Sequence, residues 1–265
     1  MRSDQRKQHI MQVAQENGFV SIPKTAQYLG VSVETIRRDI DALCQKNQLK
    51  KVYGGATPVK TPIWRNTGNT RKSPNSQQGK IAIAKEAAKM IRTNGVYVFD
   101  GSDVTLRMVE FIPNVEHVTF VVDSLKLALA LCEKLNAGAF NGTVIMAGGQ
   151  IIPTSCRSYT LSSLDFIDRY HYDLAFIYAP ALAASGASVA STNPGMFAQR
   201  LMLRASSCVL MVESQMLGKH SVMDFAKIPE FDRIITDDAH PCPADILEVI
   251  QQSPRTTLTV VSGNS

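Results

Sequence analysis

A segment near the start of the chain constrains the fold most strongly, because it has the pattern of two short helices joined by a tight turn. Ser21, Pro23 and Gly30 stand where an N-cap, a first-turn residue and a helix end are expected. Ser32 is suited to cap a second helix, since its hydroxyl can accept a hydrogen bond from a first-turn N–H. The spacing predicts a helix-turn-helix over about residues 20–39, a motif whose second helix enters the major groove of DNA.

The second helix is predicted to be amphipathic. At about 100° per residue one stripe is apolar and is expected to face a core, namely Val33, Ile36, Ile40 and Leu43. The opposite face is polar and consists of Glu34, Arg38, Asp41 and Gln45, flanked by Thr35 and Arg37. Guanidinium groups on such a face can pair bidentately with guanine or hold phosphates. A surface helix with solvated charges is the alternative, and the neighbouring segments favour contact with DNA.

The segments on either side of this motif complete the pattern of a small domain. A preceding helix is predicted from about Ser3 to Glu16. After the motif, Leu49–Ala56 is predicted to be a short basic strand that ends in a Gly-Gly turn, which resembles the wing of a winged helix. Its two lysines, Lys50 and Lys51, are expected near backbone phosphates.

The charge of the chain is unevenly distributed. Residues 1–80 carry 14 lysines and arginines and 5 aspartates and glutamates, against 14 and 18 in the remainder, so the net charge of +5 divides into +9 and −4. A basic end on an otherwise acidic chain indicates a polyanionic partner for that end alone. Because the charge coincides with the helix-turn-helix pattern, we expect the partner to be nucleic acid.

Three short pieces of this region resemble the DeoR family of bacterial transcriptional regulators. They occur in the family's order, as Val31-Ser32, Thr35-Ile36-Arg37-Arg38-Asp39 and Tyr53-Gly54-Gly55-Ala56. The resemblance implies a winged helix-turn-helix DNA-binding domain over residues 3–58, with double-stranded operator DNA as its partner. The residues expected to contact DNA lie on the second helix and in the wing, and are Ser32, Thr35, Arg37, Arg38, Lys50, Lys51 and Tyr53.

The composition changes after this domain. Residues 59–79 are rich in Pro, Gly, Asn, Ser, Thr and Gln and are predicted to be a linker, in which Trp64 is the only tryptophan of the chain. From Lys80 onward, apolar strands alternate with helices. The predicted strands are 96–99, 118–122, 143–146, 174–178, 208–212, 233–236 and 257–261, and the predicted helices begin near Lys80 and span 124–135, about 194–205 and 244–251.

This alternation is typical of an α/β fold with a mostly parallel sheet covered by helices on both faces, which we expect over residues 80–265. In such sheets, ligands bind at the carboxyl ends of the strands. The residues that follow the predicted strands are small and polar, as in Asp100-Gly101-Ser102-Asp103, Asp123-Ser124, Gly148-Gly149-Gln150, Glu213-Ser214-Gln215 and Asp237-Asp238. They predict the rim of a pocket, and the alternative is that they only cap the helices that follow.

The second half of the chain resembles the DeoR effector domain, which is similar to ribose-5-phosphate isomerase and CoA transferases. The matching pieces are Arg71, Asn75, Lys80-Ile81-Ala82, Asp100, Gly148-Gly149, Tyr172-Asp173-Leu174-Ala175-Phe176 and Ile235-Thr236-Asp237. The resemblance implies a small-molecule effector, a sugar or a sugar-derived metabolite. The residues expected to bind it are Asp100, Ser102, Asp103, Thr105, Asp123, Gly148, Gly149, Glu213 and Lys219.

Three departures from the family pattern fall in this expected pocket. One is the absence of the acidic residue usual near Gly195-Met196, and the other two each change a charge as follows. The family's Asp-x-Gly-Thr-Thr loop is replaced by a sequence that contains Asp103, and its later Asp-x-x-Lys ends in Met216. The first change adds a negative charge and the second removes a positive one, so both disfavour a dianionic ligand. We therefore expect an effector that differs from the family's simple phosphosugars, although Lys219 could restore the missing charge.

The leading hypothesis is a sequence-specific DNA-binding regulator, a repressor in most of this family, that functions as a homodimer or homotetramer. One alternative is a regulator whose sensor domain no longer binds a ligand. Another is a sugar-phosphate isomerase or acyl transferase, with Asp100, Asp103 and Glu213 as bases and Lys219 as an electrophile. The sequence has no signal-peptide pattern, no apolar run of membrane-spanning length and no metal-binding or cofactor motif, so we expect a cytoplasmic protein without a cofactor, metal or membrane partner.

Overall fold

The computed structural model describes five segments of the chain, residues 3–17, 19–45, 49–58, 74–158 and 160–263. The chain divides into two compact units, Met1–Pro62 and Ile63–Ser265, which we call the N-terminal unit and the C-terminal unit. Most of the predicted linker, including Trp64 and Arg71, lies outside the described segments. Its last part does not continue as a linker, because a helix begins at Pro74.

The described residues of the N-terminal unit form three helices and a small antiparallel sheet. Its elements are α1 (Ser3–Asn17), β1 (Val20–Ser21), α2 (Ile22–Leu29), α3 (Val33–Gln45), β2 (Leu49–Val52) and β3 (Gly55–Pro58). The strands pair antiparallel in the order β1-β3-β2, so the predicted wing is a hairpin of β2 and β3 that also pairs with β1. The helix-turn-helix prediction is confirmed in α2 and α3.

The core of the N-terminal unit lies where its three helices meet the sheet. Ile36, Ile40 and Leu43 of α3 are buried there, as predicted. Val33 was predicted to join them, but its side chain is 40% exposed. It lies in the first turn of α3 and lines an open cleft between that helix and the β2–β3 hairpin, so the apolar stripe begins one turn later than predicted.

The C-terminal unit is an α/β domain, which confirms the predicted fold class. Its strands are β4 (Val96–Phe99), β5 (Val118–Val122), β6 (Gly142–Met146), β7 (Tyr172–Tyr178), β8 (Ala181–Ala183), β9 (Gly186–Val189), β10 (Ala205–Met211), β11 (Met223–Ala226), β12 (Arg233–Asp237) and β13 (Thr257–Val261). Its helices are α4 (Pro74–Ala88), α5 (Asp103–Met108), α6 (Leu125–Asn136), α7 (Leu161–Ile167), α8 (Thr192–Leu203) and α9 (Ala244–Gln252). None of the helices in the described segments is long and apolar enough to cross a membrane.

Seven of these strands form one parallel sheet in the order β13-β12-β10-β7-β4-β5-β6. Alternate side chains of each strand point to opposite faces, and both faces are covered. One face packs against α4, α5 and α6 through residues such as Phe99, Phe120 and Phe176. The other packs against α7, α8 and α9 through residues such as Val98, Ala175 and Leu210.

The order of the strands places a crevice in the middle of the sheet. The chain runs from β4 outward to β5 and β6, and then returns to the other side of β4 with β7. The connections on the two sides of β4 therefore diverge at the carboxyl ends of β4 and β7. In open parallel sheets, such a reversal of strand order is where ligands bind.

Several elements of the C-terminal unit differ from the sequence-based prediction. Helix α7 and the three-stranded antiparallel sheet β11-β9-β8 were not predicted. The helix predicted near 194–205 is α8 and ends at Leu203, because Ala205 already begins β10. The small sheet escaped prediction because its strands are short and β8 and β9 are continuously apolar or small, without a polar alternation that would mark them.

Candidate DNA-binding surface and effector cavity

The turn between α2 and α3 is fixed by two local features. Gly30 ends α2 with a φ of 63°, a left-handed conformation that favours glycine. Ser32 caps α3, since its Oγ accepts a hydrogen bond from the N–H of Thr35 at 3.1 Å. The hydroxyls of Ser32 and Thr35 are 2.8 Å apart, so both residues also organise the start of the helix that they were predicted to present to DNA.

The polar face of α3 holds one carboxylate between two guanidiniums. The side chains of Arg37 and Arg38 are 62% and 80% exposed, and each lies 3.7 Å from an oxygen of Glu34. Exposed pairs at this distance are weak and are readily exchanged for other partners. The two arginines are therefore accessible to phosphates or base edges.

The β2–β3 hairpin carries the other predicted DNA contacts. Lys50 and Lys51 are exposed, and Tyr53 is fully exposed at the tip, next to Gly54 with a φ of 77°. Lys51 forms an ion pair with Asp41 of α3, which was predicted to lie on the outer polar face and is instead half-buried. This pair connects the hairpin to the helix and places both basic elements on neighbouring parts of one surface.

Asp39 has a structural role that the sequence analysis did not assign. It is 5% exposed, and its Oδ2 accepts a hydrogen bond from Nε of Arg6 at 2.8 Å, while Ser3 donates to its other oxygen at 3.3 Å. These contacts join α1 to α3. Its spacing from Ile36 and Leu43 was the available signal, because it places this carboxylate on the buried stripe of α3.

A cavity of about 430 Å³ opens at the crevice predicted by the strand order. This volume is within the usual range for small-molecule sites. Its lining combines charged, hydroxyl and apolar side chains from α4, the loop after β4, the 154–157 loop, the end of β7 and the start of α8. The lining residues are Lys80, Asp100, Ser102, Asp103, Val104, Thr154, Ser155, Arg157, Tyr178, Pro180, Val189, Ala190, Ser191, Pro194, Phe197 and Ala198.

Asp100 joins the two strands that border the crevice. One carboxylate oxygen accepts hydrogen bonds from the N–H of Ser102 at 3.1 Å and the hydroxyl of Thr105 at 3.4 Å. The other accepts from the N–H of Tyr178, at the end of β7, at 2.8 Å. Since Asp100 is 6% exposed, its main observed role is to hold the loop after β4 against β7.

Lys80 lies between two carboxylates at one end of the cavity. Its Nζ is 3.3 Å from Asp103 and 3.7 Å from Glu213, and its side chain is only 16% exposed. Glu213 is buried and also accepts a hydrogen bond from the hydroxyl of Tyr178 at 2.9 Å. Burial and the neighbouring Glu213 carboxylate raise the pKa of Tyr178 well above its usual value, so this hydroxyl remains a donor.

Asp123 and Arg157 form a second buried pair beside the cavity. Two nitrogens of Arg157 lie 2.8 and 2.6 Å from Oδ2 of Asp123, which is fully buried. Desolvation raises the pKa of Asp123 to about 7, although Arg157 opposes this shift and Asp100 adds to it. Oδ1 of Asp123 accepts no hydrogen bond from the described residues, and it lies where a side chain on Gly101 would have to be.

The nine predicted effector-binding residues fall into three groups. Asp100, Ser102 and Asp103 line the cavity. Behind its wall lie Thr105, Asp123 and Glu213, which contact lining residues. Gly148, Gly149 and Lys219 are not among the lining residues, so their predicted contact is not supported by the position of the cavity. The carbonyl of Gly148 instead accepts hydrogen bonds from the hydroxyls of Ser158 and Ser163.

Both cationic side chains of the described lining were missing from the prediction. Lys80 was noted only as part of the family pattern, and Arg157 was not noted. Neither directly follows a strand: Lys80 lies in α4, and Arg157 lies in a long connection after β6. A rule based on strand ends therefore could not find them, and no spacing in the sequence links either cation to its carboxylate.

Comparison with protein families matches both units. Residues 6–61 match the DeoR-like helix-turn-helix domain, and residues 75–238 match the DeoR C terminal sensor domain. The two matches follow the order of the structural units and together span most of the chain. The polar face of α3 lies in the first match, and the cavity lies in the second.

Curated relatives are similar over nearly their whole length. The HTH-type transcriptional regulator GlpR of Haloferax volcanii is 28% identical over 98% of this chain and 97% of its own. The glycerol-3-phosphate regulon repressor of Escherichia coli is 24% identical over 94% of this chain and 96% of its own. Among solved structures, the sorbitol operon regulator SorC of Klebsiella pneumoniae covers 80% of this chain and 89% of its own at 11% identity, with a TM-score of 0.35, which is too low to support an argument.

Proposed function

The chain belongs to the DeoR family of DNA-binding transcriptional regulators with a sensor domain, and from this premise we propose that it represses a carbohydrate-related operon until a small molecule binds the cavity. The observation that carries the proposal is the pairing, in one chain, of an exposed arginine-bearing helix with a separate cavity at the switch point of a parallel sheet. The helix supplies affinity for DNA, and the cavity allows a ligand to control DNA binding.

The DNA-binding step is supported by the surface of the N-terminal unit. Arg37 and Arg38 are the proposed base or phosphate contacts, near the helix N-terminus formed by Ser32 and Thr35. Lys50, Lys51 and Tyr53 of the hairpin are the proposed backbone contacts. We expect these phosphate contacts to dominate affinity and to make it steeply dependent on salt.

Control by an effector is supported by the size and lining of the cavity, which favour a sensor that binds a ligand over one that has lost this ability. Names of relatives support a carbohydrate-related role, since one is a glycerol-3-phosphate regulon repressor and another an L-fucose operon activator. An isomerase or transferase is not favoured, because the candidate bases Asp100 and Glu213 are already engaged in structural hydrogen bonds.

The proposal includes a symmetric homodimer or homotetramer. One winged helix reads only a few base pairs, so repeated half-sites are needed for specificity, and two copies on one DNA gain avidity. We expect sedimentation to show an oligomer at micromolar concentration. A monomer that binds its operator with full affinity would contradict this part. Because its partner is operator DNA, the protein is proposed to act in the cytoplasm.

The central test selects DNA with the full chain. Purified protein is incubated with random duplexes, and the enriched sequences are compared among the wild type, a double variant Arg37→Ala with Arg38→Ala, and the matched control Arg169→Ala. Arg169 is an exposed arginine of the C-terminal unit. We expect the wild type and the control to enrich the same site and the double variant to enrich none. Equal enrichment by all three proteins would disprove the assignment of the DNA-binding surface.

A further inference from the structure

The charges around the cavity indicate which chemical class of effector it accepts. In the described lining, the cations Lys80 and Arg157 are matched by the carboxylates Asp100 and Asp103. Two further carboxylates, Glu213 and Asp123, lie directly behind the cations. Arg107, which pairs with Asp103 at 3.4 Å, adds a third cation beside these four carboxylates. The surroundings of the cavity therefore carry a net charge of about −1, or about zero when Asp123 is protonated, which its pKa of about 7 allows.

Both cations are already committed to the protein. Lys80 is 3.3 Å from Asp103 and 3.7 Å from Glu213, and Arg157 is 2.6 Å from Asp123. Moving either cation to a ligand phosphate would weaken its contact with a carboxylate that is 3% or less exposed, and a buried charge that loses its partner is costly. The two cations therefore neutralise carboxylates of the protein, and little of their positive charge is left for a ligand.

Two other sources of positive charge do not reverse this balance. Lys219, which could have replaced the family's lysine, is exposed and does not line the cavity. The N-terminus of α8 borders the cavity at Ser191 and Pro194, but a helix terminus contributes only about half an elementary charge. A dianionic phosphate ester thus meets no uncommitted full positive charge in the described lining.

The remaining lining fits an uncharged polyhydroxylated molecule. Hydroxyl groups are offered by Ser102, Thr154, Ser155 and Ser191, and the half-exposed carboxylate of Asp103 can accept hydrogen bonds from ligand hydroxyls. An apolar wall that includes Phe197 and Val189 can pack against the C–H face of a sugar ring. Resting on the proposed function, we propose that the effector is an unphosphorylated sugar or polyol, and that Asp103 excludes its phosphate esters.

The test uses matched pairs of compounds on the full chain. The pairs are ribose and ribose 5-phosphate, glucose and glucose 6-phosphate, glycerol and glycerol 3-phosphate, and mannitol and mannitol 1-phosphate, at equal ionic strength. Thermal unfolding identifies binders, and calorimetry gives their dissociation constants. We expect at least one neutral compound to bind, and its phosphate ester to bind at least tenfold more weakly.

The variant Asp103→Asn separates charge from shape. It removes the carboxylate charge and keeps the size of the side chain. The ratio between the dissociation constants of the phosphate ester and of the neutral compound should therefore fall at least threefold. Asp165→Asn is the matched control, since Asp165 is an exposed carboxylate on α7 outside the cavity lining, and it should leave the preference unchanged. A preference that stays the same in Asp103→Asn would show that Asp103 does not exclude the phosphate.

The outcomes distinguish this inference from the proposed function. A phosphate ester that binds the wild type more tightly than its neutral partner would overturn the inference and leave effector control intact. If DNA is selected but no compound of either series binds, effector control by this class is contradicted together with the inference. If a neutral compound binds but does not release the selected DNA, the ligand class stands and the proposed regulation fails.

Discussion

The two candidate sites of this protein, one in each unit, use cationic residues in opposite ways. In the N-terminal unit, Arg37 and Arg38 are more than half exposed and pair with Glu34 at 3.7 Å. In the C-terminal unit, Lys80 and Arg157 are 16% and 15% exposed, and each pairs with at least one carboxylate that is almost completely buried. Exposed cations exchange partners at little cost and can therefore bind a polyanion. Buried cations that are paired with buried carboxylates cannot move to a ligand anion without leaving a buried charge behind.

The largest effect that would test this comparison comes from the one buried ion pair described in the N-terminal unit. Asp39→Ala removes the 6% exposed carboxylate that pairs with Arg6, so we expect a loss of about 3–5 kcal/mol in the unfolding free energy of that unit. DNA binding should be lost with it. Chemical denaturation monitored separately for each unit measures this, with Glu34→Ala as the exposed control on the same helix. A change below about 1 kcal/mol would mean that this pair behaves like a surface pair.

The next effect concerns the pH dependence of the C-terminal unit. Its buried Asp123 has a pKa of about 7, above the ordinary value of 3.8, so between these values the folded state binds a proton that the unfolded state has released. Stability from this group is present below about pH 4 and is lost as the pH rises towards 7, with a slope of at most about 1.4 kcal/mol per pH unit. At pH 7 about half of the Asp123 carboxyls are still protonated, so the change is complete only near pH 8.

Denaturation of the wild type and of Asp123→Asn at pH 5, 6, 7 and 8 measures this contribution. The difference in unfolding free energy between the two proteins should change most between pH 5 and 7 and level off between pH 7 and 8. Arg157 and Asp100 are the charged groups that act on Asp123, so the ionic strength is held fixed. A difference in unfolding free energy that does not depend on pH would show that Asp123 remains ionised. The effect of Arg157 on the pKa of Asp123 would then be larger than that of desolvation.

A smaller effect is expected on the exposed side of the comparison. Arg38→Ala should cost about 1–3 kcal/mol in binding to the selected DNA and relax its base preference, if the guanidinium contacts a base. Lys50→Ala should instead weaken binding to all duplexes equally. It should also reduce the slope of log affinity against log salt concentration by about 1, as expected for the loss of one phosphate contact. Titrations of selected and random DNA at several salt concentrations compare the two variants. Identical behaviour of both would assign Arg38 to phosphate contact.

The smallest effect is expected from two carboxylates that pair with the proposed DNA contacts, the exposed Glu34 and the half-buried Asp41. Asp41→Asn releases Lys51, and Glu34→Gln releases both Arg37 and Arg38, so each should raise affinity for random DNA by less than about 1 kcal/mol. Asp165→Asn, which makes the same charge change in the C-terminal unit, should have no effect. A loss of affinity in Glu34→Gln would indicate that Glu34 orients the arginines for binding.

The sequence by itself determined the features that depend on local pattern. The capping of α3 by Ser32, the end of α2 at Gly30 and the buried stripe from Ile36 to Leu43 all follow from interactions within a few residues. The seven parallel strands were likewise evident from their short apolar runs, which are continuous in the central strands because these are buried on both faces. Asp100, Ser102 and Asp103 line the cavity because parallel strands end at one edge of the sheet, and their contact with an effector stays a prediction.

Only the tertiary structure decided which side chains meet across the fold. Lys80 approaches Glu213 from a helix that precedes the first strand of the sheet, and Arg157 reaches Asp123 from a connection after the third. Gly148, Gly149 and Lys219 were expected at the same site, but the strand order puts the cavity beside β4 and β7 instead. The reason is physical: hydrogen bonds within a helix or turn are set by neighbours in the chain, whereas the contacts of a buried charge are set by packing among distant elements.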